Sequence, residues 1–72
     1  MHLIDIENDD WIKISGFEGA IELTLRQYGL FPGDVARVVR KAPLDGPFLL
    51  EIGGREIALS RRIAAKIIVE PA

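Results

Sequence analysis

The side chains of this sequence that could do chemistry are few, and most lie at its start. His2 is the only histidine, and Asp5, Glu7, Asp9 and Asp10 follow it closely. An imidazole with carboxylates is a donor set for a divalent transition metal, so His2, Asp5 and Glu7 are the candidate ligands of a weak metal site. These acids alternate along the chain with nothing to frame them rigidly, so no confined coordination geometry is expected. There is no cysteine, hence no thiolate nucleophile, no disulfide and no Cys-ligated zinc. Ser15 and Ser60 have no histidine near them in sequence to act as a base. Gly53-Gly54 runs into Arg55-Glu56 rather than the Gly-Lys-Ser/Thr of a phosphate-binding loop. The chain is therefore read as a non-enzyme with no catalytic residue and no cofactor.

These residues must be positioned by a short chain. Its 72 residues make one domain, and a core of that size supplies about 3–5 kcal/mol. With 49% hydrophobic residues and no cross-link, packing has to supply the stability. No apolar run approaches the ~18–20 residues of a membrane span, and no basic segment leads into an apolar one at the N-terminus. A cytoplasmic protein that does not insert into membranes is expected. A net charge of −2 argues against general nucleic-acid binding. Stacking residues are also few, and most of Trp11, Phe17, Tyr28, Phe31 and Phe48 are wanted for the core. Charge is uneven: residues 1–10 carry four acids and no lysine or arginine, whereas residues 11–72 carry all nine bases. Residues 1–10 are read as a loose acidic arm and residues 11–72 as the single folded domain.

Punctuation within that domain is strong. Trp11-Ile12-Lys13-Ile14-Ser15 alternates as a strand, with Ile12 and Ile14 inward. From Ala20 to Tyr28 the period becomes helical, with Ile21, Leu25 and Tyr28 on one face and Glu22–Arg26 as an i,i+4 pair. Gly29 suits the left-handed residue that ends a helix, with Leu30 packing back near Leu25. Phe31-Pro32-Gly33-Asp34 has proline and glycine at the central positions of a type II turn. Strands follow at Val35–Arg40, Phe48–Ile52 and Arg55–Leu59, the last two joined by Gly53-Gly54 as a two-residue hairpin turn. Pro43 and Pro47 bracket an Asp45-Gly46 turn signal. Ser60 caps a helical turn, and Lys66–Glu70 is the last strand. Five short strands cannot form two stacked sheets. The expected fold is mainly β: a small SH3-like five-stranded barrel, one short helix plugging an end and one helical turn before the last strand.

The alternation leaves Leu23, Leu44, Leu49, Ile63 and Ile68 pointing away from the core. A surplus of this kind marks an interaction surface, rimmed by Arg37, Arg40, Lys41, Arg61 and Arg62 as the charges that select the partner. The same surplus leaves room for self-association.

The segment Gly29-Leu30-Phe31-Pro32-Gly33-Asp34 resembles the Gly-(apolar)-x-Pro-Gly signature of the FeoA family of ferrous iron transport accessory proteins. The ordered set continues with Val38-Val39-Arg40-Lys41-Ala42-Pro43-Leu44-Asp45-Gly46-Pro47, then Ile57-Ala58-Leu59-Ser60-Arg61-Arg62, Ala64 and Ile67-Ile68-Val69. It covers about residues 11–70, with no clear match in the first ten and Ile63 where the family often has a polar residue. The resemblance implies a small cytosolic module that docks on and modulates the FeoB-type membrane transporter of ferrous iron. Two alternatives stand beside it: a stand-alone regulatory module akin to the C-terminal SH3-like domain of iron-dependent repressors, or a weak transition-metal-binding protein.

Overall fold

Glycine, proline and serine mark where helix and strand exchange, and the elements of the computed structural model follow those marks. It describes residues 1–41, 43–44 and 46–72; Ala42 and Asp45, and with Asp45 the Asp-Gly turn expected there, lie outside the described residues. In chain order the elements are a 3-10 helix Leu3–Asp5, β1 Trp11–Phe17, α1 Glu22–Gln27, β2 Val35–Lys41, β3 Phe48–Ile52, β4 Arg55–Leu59, α2 Arg61–Ala64 and β5 Ile67–Pro71.

The strands form one antiparallel sheet in the order β4-β3-β2-β1-β5. Register shifts interrupt β1 between Ile14 and Gly16 and β2 between Val38 and Arg40. Such bulges bend a strand and sharpen its twist. The molecule measures 27 × 23 × 22 Å, whereas a flat sheet with one packed layer is only about 10 Å deep. The sheet therefore curls around its own apolar face as a small SH3-like barrel. Among the described residues β4 pairs only with β3 and β5 with β1 inside the sheet, so the barrel is joined at that seam by α2 and not by a ladder.

Alternation fills the barrel. Ile12 and Ile14, Ala36 and Val38, Phe48, Leu50 and Ile52, Ile57 and Leu59, and Ile67 and Val69 are all buried in one cluster, with Leu25, Leu30 and Ala64 from the helical segments. The inward faces expected of β1 (Ile12, Ile14), β3 (Phe48, Leu50, Ile52) and β4 (Ile57, Leu59) are the observed ones.

Three expectations change. The acidic arm is not loose: Leu3 is 0% exposed and Ile6 6%, both inside the core cluster. Its backbone is tied down too. Met1 carbonyl accepts from Val69 N–H at 2.8 Å and His2 bridges Ile68 on the outer edge of β5. Asp9 N–H donates to Val38 carbonyl, and Val38 N–H to Asp10 carbonyl at 3.0 Å. The arm thus covers one sheet edge and then joins β2. Secondly, α1 is shorter than Ala20–Tyr28 and buries only Leu25, with Ile21 packed at the margin and Tyr28 exposed. Thirdly, of the five aromatics only Phe48 is buried; Trp11, Tyr28 and Phe31 are exposed and Phe17 is half-buried. Leu3 and Ile6 take up interior volume that the arm was not expected to fill, so fewer aromatics are needed there.

Candidate docking surface

The Tyr28–Asp34 segment folds as its residues dictate. Leu30 N–H donates to Leu25 carbonyl and Gly29 N–H to Arg26 carbonyl, each at 3.0 Å, with Gly29 at φ +78. This pair of bonds is a Schellman cap. Asp34 N–H closes the next turn on Phe31 carbonyl at 3.1 Å, Gly33 has φ +95, and the Asp34 carboxylate accepts from Phe31 N–H at 2.9 Å. Gly33 N–H and Asp34 carbonyl then bond Ile14 of β1 at 2.7 and 2.8 Å. Arg55, at the start of β4, donates to the carbonyls of Tyr28 and Gly29 at 3.2 and 3.3 Å. A guanidinium there satisfies orphan carbonyls at the negative end of α1. The cap holds α1 so that Leu23 stands 70% exposed, beside a shallow depression lined by Glu22, Leu23 and Arg26.

The basic residues divide into two kinds. Arg61 Nε donates to Gly46 carbonyl at 3.0 Å and its guanidinium lies 5.3 Å from the centre of the Phe48 ring. Lys41 Nζ lies 5.4 Å from the same ring. Both cations thus rest against a core aromatic. Arg40 and Arg62 are exposed. Arg40 pairs in register with Leu49, which pairs with Ala58, giving one row on the outer face of β2, β3 and β4. Of the other apolar candidates, Leu44 is 100% exposed at φ +56, Ile68 is half-buried beside His2, and Ile63 packs against the core cluster. The five apolar candidates sit on five different segments of the chain.

The outer face of the sheet sets Arg37, expected as a rim charge, among residues that the sequence reading left out of the docking surface. Trp11, Arg37, Glu51 and Glu56 are successive cross-strand partners across β1 to β4. Arg37 is held by Asp9 at 2.9 Å and by Glu51 at 3.4 Å, so it is committed to intramolecular pairs. Trp11 is 54% exposed and Val35 46%. Trp11, Asp10, Met1, Ile6, Ile12 and Pro71 line a half-open groove of about 330 Å³. A signal for this was present: the alternation that sends Ile12 and Ile14 inward puts Trp11 on the face of Lys13. The position of Arg55 had none, because its contact with α1 spans 26 residues of sequence.

The arm's candidate metal ligands do not converge. His2 Nε2 lies 2.6 Å from a Glu18 carboxylate oxygen and Asp9 pairs with Arg37. Among the described residues no group of three or more His, Cys, Asp or Glu side chains is placed to hold a metal ion. Ser15 Oγ donates to Ile68 carbonyl at 3.1 Å, and Ser60 Oγ accepts from Ile63 N–H at 3.2 Å. Both hydroxyls are occupied by backbone groups. No helix among the described residues is long and apolar enough to cross a membrane.

Comparison with known proteins gives this architecture relatives. The solution structure of iron(II) transport protein A from Clostridium thermocellum superposes with TM-score 0.89 at 34% identity, over 100% of this chain and 46% of that one. The chain thus spans less than half the length of that relative. A FeoA-like protein from Clostridium acetobutylicum matches with TM-score 0.88 at 25% identity, over 99% of this chain and 85% of that one. The manganese-activated repressor ScaR shares the fold over 35% of its length, with TM-score 0.88 and 24% identity across the whole of this chain. No curated protein sequence matches. The family model of the FeoA domain matches residues 1–71, which takes in the N-terminal arm as well as the barrel. With Leu3 and Ile6 in the core and the helix-turn segment built as its glycines require, the match and the fold agree, and this chain belongs to the FeoA domain family.

Proposed function

We propose that this chain is a cytoplasmic accessory protein of ferrous iron uptake, a protein-binding module that docks on the cytosolic part of a FeoB-type membrane transporter and modulates it. The observation that carries the reading is the family match over residues 1–71. The resemblance to an iron(II) transport protein supports it, as do apolar side chains left in solvent: Leu23 at 70%, Trp11 at 54% and Leu44 at 100% exposed. Exposed apolar groups are stabilised when a partner covers them. In this reading Leu23, Leu44, Leu49, Ile63 and Ile68 supply contact area, and the exposed Arg40 and Arg62 supply selectivity. Lys41 and Arg61 keep Phe48 and the preceding loop in place. The docking is non-enzymatic and uses no resident cofactor. Capture of the transporter's cytosolic domain and of the full-length transporter, each with and without guanine nucleotide, tests it. Retention in at least one condition is expected, and failure in all four refutes it.

A second reading is favoured by the fold shared with a metal-dependent repressor: a stand-alone regulatory module that binds a peptide segment of a regulator.

A further inference from the structure

The groove beside Trp11 is built for a particular kind of side chain. Its walls are apolar, from Met1, Ile6, Ile12 and Pro71, and Trp11 stands 54% exposed at its mouth. Asp10 is the one charged side chain in its lining, which also includes Met1 with the chain's α-ammonium. Exposed Asp5 and Glu7 flank Ile6 in sequence, and neither they nor Asp10 has a side-chain partner among the described residues. Of the nearby cations Arg37 is held by Asp9 and Glu51, whereas Lys13 is the cross-strand partner of Glu70 with no side-chain ion pair among the described residues. The site therefore combines a hydrocarbon slot, an indole and one carboxylate, Asp10, whose side chain has no partner among the described residues. A lysine or arginine side chain has the complementary form, a methylene stem that packs on apolar surface and a cation at its end. Cations are also attracted to an indole face.

We propose that this groove binds a lysine- or arginine-bearing extended segment of a protein partner, with one basic side chain laid along Met1, Ile6 and Pro71 and its charge between the Trp11 indole and the Asp10 carboxylate. The inference deepens the docking reading and rests on it only for the existence of a protein partner. The anchoring surface it names is separate from the Leu23 and Arg40 faces.

Trp11 is the only tryptophan in the chain, so intrinsic emission reports on the groove directly. The probe is the acetylated, amidated pentapeptide Leu-Arg-Lys-Leu-Lys, with Leu-Glu-Glu-Leu-Glu as its charge-reversed control. The basic peptide is expected to give a saturable shift of emission to shorter wavelength that weakens several-fold between about 50 and about 500 mM salt. Asp10→Asn is expected to weaken it about fivefold. That change spares the fold, because Asp10 bonds Val38 through its backbone carbonyl; an unaltered melting temperature verifies it. Absence of saturation, or equal binding of the acidic peptide, overturns the proposal. So does emission that shifts with protein concentration before any peptide is added, which would assign the groove to a second copy of the chain. Capture of the transporter domain by the Trp11→Ala protein at wild-type strength overturns this inference and leaves the docking reading standing. Peptide binding without capture of the transporter does the reverse.

Discussion

At the scale of single residues, Gly29 carries two constraints at once. Its φ of +78 is a conformation in which a side chain is strained, and a Cβ there would lie 2.5 Å from the Arg55 Nη2 that caps the helix. Gly29→Val should cost about 2–3 kcal/mol, since a β-branched residue tolerates positive φ worst. That is most of the stability expected of a domain this small. A thermal melt should show a fall of about 4–8 °C per kcal/mol lost. Arg55→Ala should cost about 0.3–1 kcal/mol through the lost cap. The two changes should be less than additive, because any Cβ at Gly29 already displaces the Arg55 guanidinium. Full additivity would show that Arg55 does not cap α1 as the hydrogen bonds indicate.

Secondary-structure elements here are short, and each depends on its ends. The four residues of α2 cannot sustain a helix by propensity alone. The segment starts because the Ser60 hydroxyl accepts from Ile63 N–H, and it persists because Ala64 is buried. Since α2 joins β4 to β5 across the seam that no ladder closes, its cap matters to the barrel as well as to the turn. Ser60→Ala should lower stability by about 1 kcal/mol, read from the denaturant midpoint at unchanged slope. A smaller slope would mean that the seam opens before the rest of the sheet. Ser60→Asp, which keeps an N-cap acceptor, should restore most of the loss. The β3–β4 hairpin needs no such support, because Gly53 and Gly54, at φ +56 and +81, turn it without strain.

On the scale of the whole molecule, the first ten residues are part of the barrel. Leu3 is completely buried, the 3-10 helix contacts β5 and α2, and Met1 and His2 occupy the free edge of β5. Leu3→Ala should cost about 2–5 kcal/mol, comparable to the total stability, so heat or denaturant should no longer give a sharp cooperative transition. Removal of residues 1–10 should both empty core volume and uncover an edge that invites pairing between molecules. Aggregation on refolding, measured by light scattering, is the expected result; a monomeric, cooperatively melting fragment would show that the arm is dispensable. The same arm brings Asp10, the carboxylate that lines the Trp11 groove, so its packing role and its proposed recognition role belong to one segment.

The amino-acid order by itself determined the inward faces of β1, β3 and β4, the helix stop at Gly29, the Pro32-Gly33 turn, the Gly53-Gly54 hairpin and the Ser60 cap, and with them the barrel and its family. All of these rest on contacts between residues close in sequence or on a period of two, so a linear reading captures them. Tertiary structure alone decided the rest. It seated Leu3 and Ile6 in the core, set Arg55 on the end of α1, turned Arg61 and Lys41 toward Phe48, and left Trp11 in solvent beside Asp10. Leu3 and Ile6, in a stretch that holds four acids and an asparagine, look solvated when read along the chain. They become interior only when the open side of a curled sheet lies within their reach, because burial is a property of the space that the other strands leave unfilled.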